Sequence, residues 1–165
     1  MILMRIEIDV SKIEELAKRY GIAAKDLRAG NRLAMRESLG TIQRIARAEH
    51  RFKTRTGMAE KEIEVDDEIK ETANFIEGAV YLKEELAPYS RWLHEGSRRH
   101  WVEPKDKKAL RWAVPGGFGF SKGHFVSGIE ADPFLHNAGG KVDVLEIFSR
   151  HEREAFKRAG IDVDG

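Results

Sequence analysis

The sequence predicts a single α+β domain spanning residues 1–165, in which a mixed or mainly antiparallel sheet packs against one long helix and a C-terminal helix. Three observations support this. A chain of 165 residues usually forms one hydrophobic core. Its apolar residues alternate in some segments and recur every three or four positions in others, the periods of strands and helices. No internal repeat, low-complexity tract or linker divides it.

The composition excludes several classes of protein. With 41% hydrophobic and 35% charged residues, wholesale disorder is not expected. A net charge of +1 gives no overall attraction to nucleic acid or membranes, so any such attraction must be local. The absence of cysteine excludes disulfides, thiol nucleophiles and cysteine-bound zinc. No stretch approaches the roughly 20 apolar residues of a membrane span, so we expect no membrane contact.

The first strand is predicted over residues 1–10. Apolar side chains alternate there with charged ones, which indicates a strand with one buried face: Met4, Ile6, Ile8 and Val10. Ser11 and Glu14 form a capping-box pattern, so a short helix should follow directly and end near Gly21.

The long helix is predicted over residues 24–50. Its apolar positions recur at steps of three and four and include Leu27, Ala34, Met35, Leu39, Ile42 and Ala46. Gly30 and Gly40 each weaken a helix by roughly 1 kcal/mol relative to alanine, so close packing or a bend is expected there.

The sheet is predicted within residues 60–135. Ile63 and Val65 alternate with acidic residues, which predicts a strand whose outer face carries Glu62, Glu64 and Asp66. Residues 75–82 are its predicted partner, with a turn near Asp66-Asp67 and a bulge at Gly78.

The second half of the chain is predicted to contain two helices and a hairpin. A short helix should run from Leu86 to His94 and end at Gly96. Short apolar pieces then suggest a β-hairpin with a glycine-rich loop over residues 115–124. The last helix is predicted over residues 140–160.

No catalytic, cofactor or metal site is predicted, and we expect the protein not to be an enzyme. His94-Glu95 starts like a zinc-protease motif, but Arg98 occupies the position of the second histidine. The glycines near residue 117 lack the spacing of a phosphate loop, and no GxSxG elbow exists. Convergence of His100, His124 and His136 in space is the one metal arrangement left open.

The strongest local feature is the basic and aromatic segment 91–112, which contains all three tryptophans. Interleaved cations and large rings are typical of nucleic-acid binding and also of protein interface hot spots. We rank a protein interface ahead of nucleic acid, because the total charge is neutral and no nucleic-acid motif is recognised. The candidate contact residues are Trp92, Arg98, Arg99, Trp101, Phe118 and Phe120.

Three segments carry a family resemblance. Residues 89–97 read Tyr-Ser-Arg-Trp-Leu-His-Glu-Gly-Ser, residues 102–112 contain Pro-Lys followed by Ala-Leu-Arg-Trp, and residues 126–138 contain Gly-Ile and Pro-Phe-Leu before Ala138. In order and spacing they resemble the tail-component family of long-tailed bacteriophages, whose members are tail-completion or head-tail joining (neck) proteins. Ser90 and His94 stand where that family more usually has small and apolar residues.

The resemblance implies a structural virion protein of a phage or prophage, assembled in the cytoplasm of a bacterial or archaeal host. It implies other tail or neck proteins as partners and a homo-oligomeric ring on assembly, and it leaves tail completion and head-tail joining as alternatives. A nucleic-acid-binding module using segment 91–112 is the rival reading. The residues matching the family's motifs, expected to shape the structure, are Tyr89, Glu95, Gly96, Pro104, Gly128, Pro133 and Phe134.

Overall fold

The computed structural model describes residues 2–12, 15, 18, 24–54 and 56–161. The chain is an α+β domain with antiparallel sheets, one long helix and a C-terminal helix, which confirms the predicted fold class. In chain order its elements are β1 (Leu3–Asp9), α1 (Ala24–Ala48), α2 (Met58–Lys61), β2 (Ile63–Val65), β3 (Lys70–Glu71), β4 (Phe75–Leu82), α3 (Ser90–Glu95), β5 (His100–Val102), β6 (Leu110–Val114), β7 (Gly117–Ser121), β8 (His124–Val126), α4 (Phe134–Gly139) and α5 (Val144–Arg158).

The main sheet has four strands around β4. β1 pairs with one edge of β4, from Leu3 opposite Tyr81 to Asp9 opposite Phe75, while β2 and β3 pair with the other edge. The sequence suggested a direct turn at Asp66-Asp67, but the chain makes no such turn there. It continues into β3 and turns after it, where the Thr72 N–H donates to the Phe75 carbonyl at 2.9 Å.

The core lies between this sheet and the helices. α1 packs against β2 and β4 of the sheet and against the helices α4 and α5. Its apolar stripe is fully buried, because side chains three and four residues apart share one helix face: Ala34, Met35, Leu39, Ile42 and Ala46. α5 is capped by Asp143, whose carboxylate accepts the Glu146 N–H at 2.9 Å.

Gly78 does not mark a bulge, contrary to the sequence prediction. The pairing of β1 with β4 runs through it without interruption, and Gly78 lies opposite Ile6. A Cβ at this position would lie 2.6 Å from Leu39 Cδ1 and 3.1 Å from Met35 Sδ. Glycine is therefore used here because α1 crosses β4 too closely for a side chain.

Glu62 is not on an exposed acidic face, where the sequence placed it. Its side chain is buried, and its carboxylate accepts backbone N–H groups from Glu85 at 3.0 Å, Ala87 at 3.2 Å and Leu86. Glu84 adopts a positive φ of 65°, which turns the following amides toward the carboxylate. Glu62 is thus a structural acid that holds the loop before α3.

Several predicted helix boundaries shift. α1 ends at Ala48, α5 runs from Val144 to Arg158, and α3 begins at Ser90 rather than Leu86, because the preceding residues form the Glu62 loop and a turn. Most of the short helix predicted after the first strand lies outside the described residues.

Residues 97–129 form a two-stranded antiparallel ribbon. It starts at a bridge between Ser97 and Ile129, continues with β5 beside β8, and ends with β6 beside β7. Residues 103–109 loop out of one strand. The segment predicted as a glycine-rich loop, 115–124, is instead the turn of this ribbon, all of β7 and the start of β8.

Candidate functional site: an aromatic ribbon and the groove at its base

Two glycines bring the ribbon's strands together at its base. The Ser97 N–H donates to the Ile129 carbonyl at 2.8 Å, and the Ile129 N–H donates back at 3.1 Å. Gly96 and Gly128 have φ angles of 77° and 89°, and a Cβ on Gly96 would lie 2.8 Å from the Ala131 nitrogen. Both positions therefore require glycine.

A buried aspartate ties the ribbon to the body. Asp132 is 5% exposed, and its carboxylate accepts the backbone N–H of Arg51 at 2.5 Å, just beyond the end of α1. Its own N–H donates to the Leu93 carbonyl in α3 at 3.0 Å. The Arg51 guanidinium bonds Glu130 at 3.1 Å and also the Ala131 carbonyl. A two-stranded hairpin is marginally stable alone, so these anchors fix its direction.

Sequence reasoning did not single out Arg51 or Asp132. Arg51 lies 81 residues before its partner, and nothing in the local pattern around either residue indicates the pairing. The signal that existed was indirect, because Asp132 immediately precedes the Pro133-Phe134 motif of the family resemblance.

Rings and guanidinium groups alternate along the ribbon. Trp101 and Phe125 lie directly opposite each other, and their rings meet edge to face with centroids 5.1 Å apart. The Arg99 guanidinium lies 4.7 Å from the centre of the Phe125 ring, and that of Arg111 lies 3.6 Å from the centre of the Phe118 ring. At these distances each cation is attracted to the ring beneath it.

These two groups of rings share one side of the ribbon. Successive residues of a strand point to opposite faces, so Phe120, opposite Arg111, lies on the face away from Trp112. The centres of the Trp112 and His124 rings are 4.9 Å apart, so these two rings lie on the same face. Phe125 follows His124 in β8 and therefore points to the other face, the one that carries Phe120. We call the shared side the basic aromatic face; it carries Arg99, Trp101, Arg111, Phe118, Phe120 and Phe125.

The ribbon's glycines support two of the tryptophans. A Cβ on Gly119 would lie 2.7 Å from the Trp112 ring, and a Cβ on Gly123 would collide with the Trp101 ring. Each indole therefore covers a glycine on the opposite side of the ribbon, which stabilises the pairing of its two strands. The glycines that indicated a flexible loop in the sequence instead make flat positions for large rings.

The ribbon is strongly basic although the whole chain is nearly neutral. From Ser97 to Ile129 it holds seven Lys and Arg residues against two Asp and Glu residues. Within the described part of the chain, none of the seven forms an ion pair: Arg98, Arg99, Lys105, Lys107, Lys108, Arg111 and Lys122. The described cations of the body include many that do, such as Arg32 with Glu71 at 2.6 Å.

An open groove of about 900 Å³ lies where the ribbon leaves α3. Trp92, half exposed, forms one wall, and the Arg91 guanidinium lies 5.9 Å from its ring centre. The other lining residues come from the end of α3 and the ribbon's base: Glu95, Gly96, Ser97, Arg98, His100, Ile129 and Ala131. The groove therefore combines apolar side chains, such as Trp92 and Ile129, with one arginine, Arg98, and one acid, Glu95.

The structure separates the six predicted contact residues into two places. Trp92 and Arg98 line the groove, whereas Arg99, Trp101, Phe118 and Phe120 lie on the basic aromatic face. All six side chains are exposed. Nothing in the local sequence pattern indicated this division.

The predicted motif residues, in contrast, are divided between surface and core. Phe134 is fully buried at the start of α4, directly after Pro133. Tyr89 is 47% exposed before α3, and Glu95 is exposed and pairs with Arg91 at 2.8 Å. Pro104 lies in the loop between β5 and β6, and Gly96 and Gly128 form the close crossing at the base.

The histidines do not assemble a metal site in the described part of the chain, where no three His, Asp or Glu side chains are grouped to hold an ion. His136 instead contacts His94, with ring nitrogens 3.2 Å apart. Burial holds the pKa of His94 below its usual value and His136 lowers it further, while Glu95 and Asp132 act in the opposite direction. His94 is therefore expected to be neutral at pH 7.

The chain matches no protein-family model, no curated protein and no solved structure. Among the helices within the described ranges, none has the length and hydropathy needed to cross a membrane.

Proposed function

We propose that this protein is a structural assembly protein of a bacteriophage or prophage, which completes the tail or joins it to the head through protein contacts. The observation that carries the proposal is where the resembling segments lie. Residues 89–97 and 126–138 are hydrogen bonded to each other at the base of the ribbon, and residues 102–112 form part of the ribbon itself. Motifs far apart in sequence thus build one structural unit.

A rigid body with a projecting contact element suits a joint between two large assemblies. The body is a packed sheet and helix core, while the ribbon exposes Phe118 by 53% and Phe120 by 66%. Large rings held in water are typical of surfaces that a partner covers, because burying them supplies binding free energy at little entropic cost. The groove beside Trp92 offers a second concave contact at the ribbon's base.

Deletion of the gene from its phage or induced prophage tests the proposal, with a plasmid copy as control. Electron microscopy of the lysate should show filled heads beside unjoined or malformed tails, and the plasmid should restore whole particles. Normal infectious particles after deletion would overturn the assembly role.

Variants on the plasmid connect that phenotype to the ribbon. Phe118→Ala with Phe120→Ala should lower the yield of infectious particles at least about tenfold, since exposed aromatic hot spots contribute about 2 kcal/mol or more each. The thermal midpoint should stay nearly unchanged. The matched control is Leu86→Ala with Leu145→Ala, which removes side chains 63% and 68% exposed outside the ribbon and should leave the yield unaffected. Full yield from the phenylalanine variant would exclude the ribbon as the contact.

A further inference from the structure

We infer that the basic aromatic face is a binding site for single-stranded nucleic acid. This goes beyond the proposed assembly role, which requires protein contacts only. Three features of the ribbon carry the inference: its unpaired cations, its exposed rings and a cavity in which the two meet.

The cations are available to phosphate groups. None of the ribbon's seven Lys and Arg residues forms an ion pair within the described residues, and only Glu103 and Asp106 oppose them in charge along the ribbon. Several exposed arginines outside the ribbon are neutralised, as Arg91 is by Glu95 at 2.8 Å. A surface of this kind attracts a polyanion and releases the counterions condensed on it.

The rings lie where bases can stack. Trp101, Phe118, Phe120 and Phe125 are each 50–66% exposed on the same side of the ribbon. Stacking on aromatic side chains requires an accessible base face, which a single strand offers and a duplex hides. Arg99 and Arg111 lie over two of these rings, so positive charge stands beside the stacking surface.

The looped-out residues bring further cations to the same place. A cavity of about 730 Å³ lies between this loop and the outer half of the ribbon. Its walls include Lys105, Lys107, Lys108, Arg111 and Phe120, so four cations line it against two acidic residues, Glu103 and Asp106. It can receive one nucleotide, with its base against the Phe120 ring and its phosphate among the lysines.

Fluorescence anisotropy of the purified full-length protein tests the site. The probes are labelled 20-nucleotide strands of thymidine and of uridine and a labelled 20-base-pair duplex, titrated from 50 to 200 mM salt. The single strands should bind at least about tenfold more tightly than the duplex, and comparison of the two single strands shows whether DNA or RNA is preferred.

Charge variants distinguish a site from general attraction. Lys105→Gln with Lys107→Gln and Lys108→Gln should reduce the slope of log affinity against log salt by about 2, because each phosphate that a cation neutralises on a single strand contributes roughly 0.7 to that slope. The control Lys53→Gln with Lys61→Gln and Lys70→Gln removes the same charge from exposed positions on the body and should leave the slope unchanged.

Removal of one ring tests stacking separately. Phe120→Ala should weaken single-strand binding about fivefold or more without changing the salt slope, since one stacked base contributes about 1–3 kcal/mol. The control Leu145→Ala should bind as the unaltered protein does. Anisotropy needs no phage particle, so its result is independent of the assembly test.

Three outcomes would overturn the inference. The first is no binding to any strand at 50 mM salt, which would leave the rings as protein contacts. The second is an equal decrease of affinity in both triple-lysine variants. The third is a duplex that binds as tightly as the single strands. Either of these two results would indicate attraction to charge alone.

Discussion

The imidazoles of His94 and His136 contact each other across the base of the ribbon, with Nε2 of His94 3.2 Å from Nδ1 of His136. His94 belongs to α3, which precedes the ribbon, and His136 to α4, which follows it. Between neutral rings one N–H donates to the other ring's lone pair. When both rings are protonated, both nitrogens carry hydrogens and positive charge, so the contact becomes repulsive.

Stability should therefore fall in mild acid. The pKa of His94 in the folded protein lies below its ordinary value of 6.5, so the unfolded chain binds a proton first as the pH drops. The stability contributed by neutral His94 is present above about pH 6.5 and is lost below it. The thermal midpoint, measured by circular dichroism from pH 7 to 5, should decrease by at most about 5 °C per pH unit from this group.

The variant His136→Asn separates this contact from burial. It removes an exposed ring and leaves His94 buried, so the pKa of His94, followed by NMR titration, should rise and the acid sensitivity should lessen. An identical pH profile in the variant and the unaltered protein would show that the ring contact contributes nothing.

Glu62 should be among the most sensitive acidic residues. Replacement by alanine leaves the loop amides of Glu85, Leu86 and Ala87, the last of them buried, without their acceptor, and a buried unsatisfied group costs about 1–3 kcal/mol. We expect Glu62→Ala to lower the free energy of unfolding by about 3 kcal/mol or more in urea denaturation. Glu68→Ala, at an exposed position, should change it by less than about 0.5 kcal/mol. Equal effects would contradict the structural role of Glu62.

Two glycine-to-alanine substitutions should have opposite signs. Gly78→Ala places a methyl group 2.6 Å from Leu39 Cδ1 in the core and should destabilise the protein by about 1–3 kcal/mol. Gly40→Ala meets nothing within 4 Å in the middle of α1 and should stabilise it by about 0.5–1 kcal/mol. Thermal midpoints of both variants check the pair, and a stabilising Gly78→Ala would contradict the close approach of α1 to β4.

What the sequence predicted correctly was encoded locally. The alternation in Met4, Ile6 and Ile8 is enough to place β1, and the three- and four-residue steps from Leu27 to Ala46 are enough to place α1. Each pattern lies within one element, so it can be recognised without knowing what the element packs against.

What it missed depends on contacts between distant residues. Glu62 follows the same alternation as Glu64, and only the amides of residues 85–87 decide that it is buried. Gly119 looks like a loop glycine until Trp112 is placed on the opposite strand. His94 is buried although histidine is polar, and its partner, His136, lies 42 residues further along the chain.

Glu152 provides a pH effect of the opposite sign. Burial within α5 raises the pKa of its carboxyl from 4.5 to about 7, so the folded protein holds a proton that the unfolded chain releases between these values. Stability from this group is present below pH 4.5 and is lost as the pH rises toward 7. Glu152→Gln keeps the shape of the protonated acid, so it should raise the thermal midpoint at pH 8 by several degrees and by little at pH 4.5. Glu68→Gln, at an exposed position, should shift neither value, and a Glu152→Gln effect that is the same at both pH values would contradict the raised pKa.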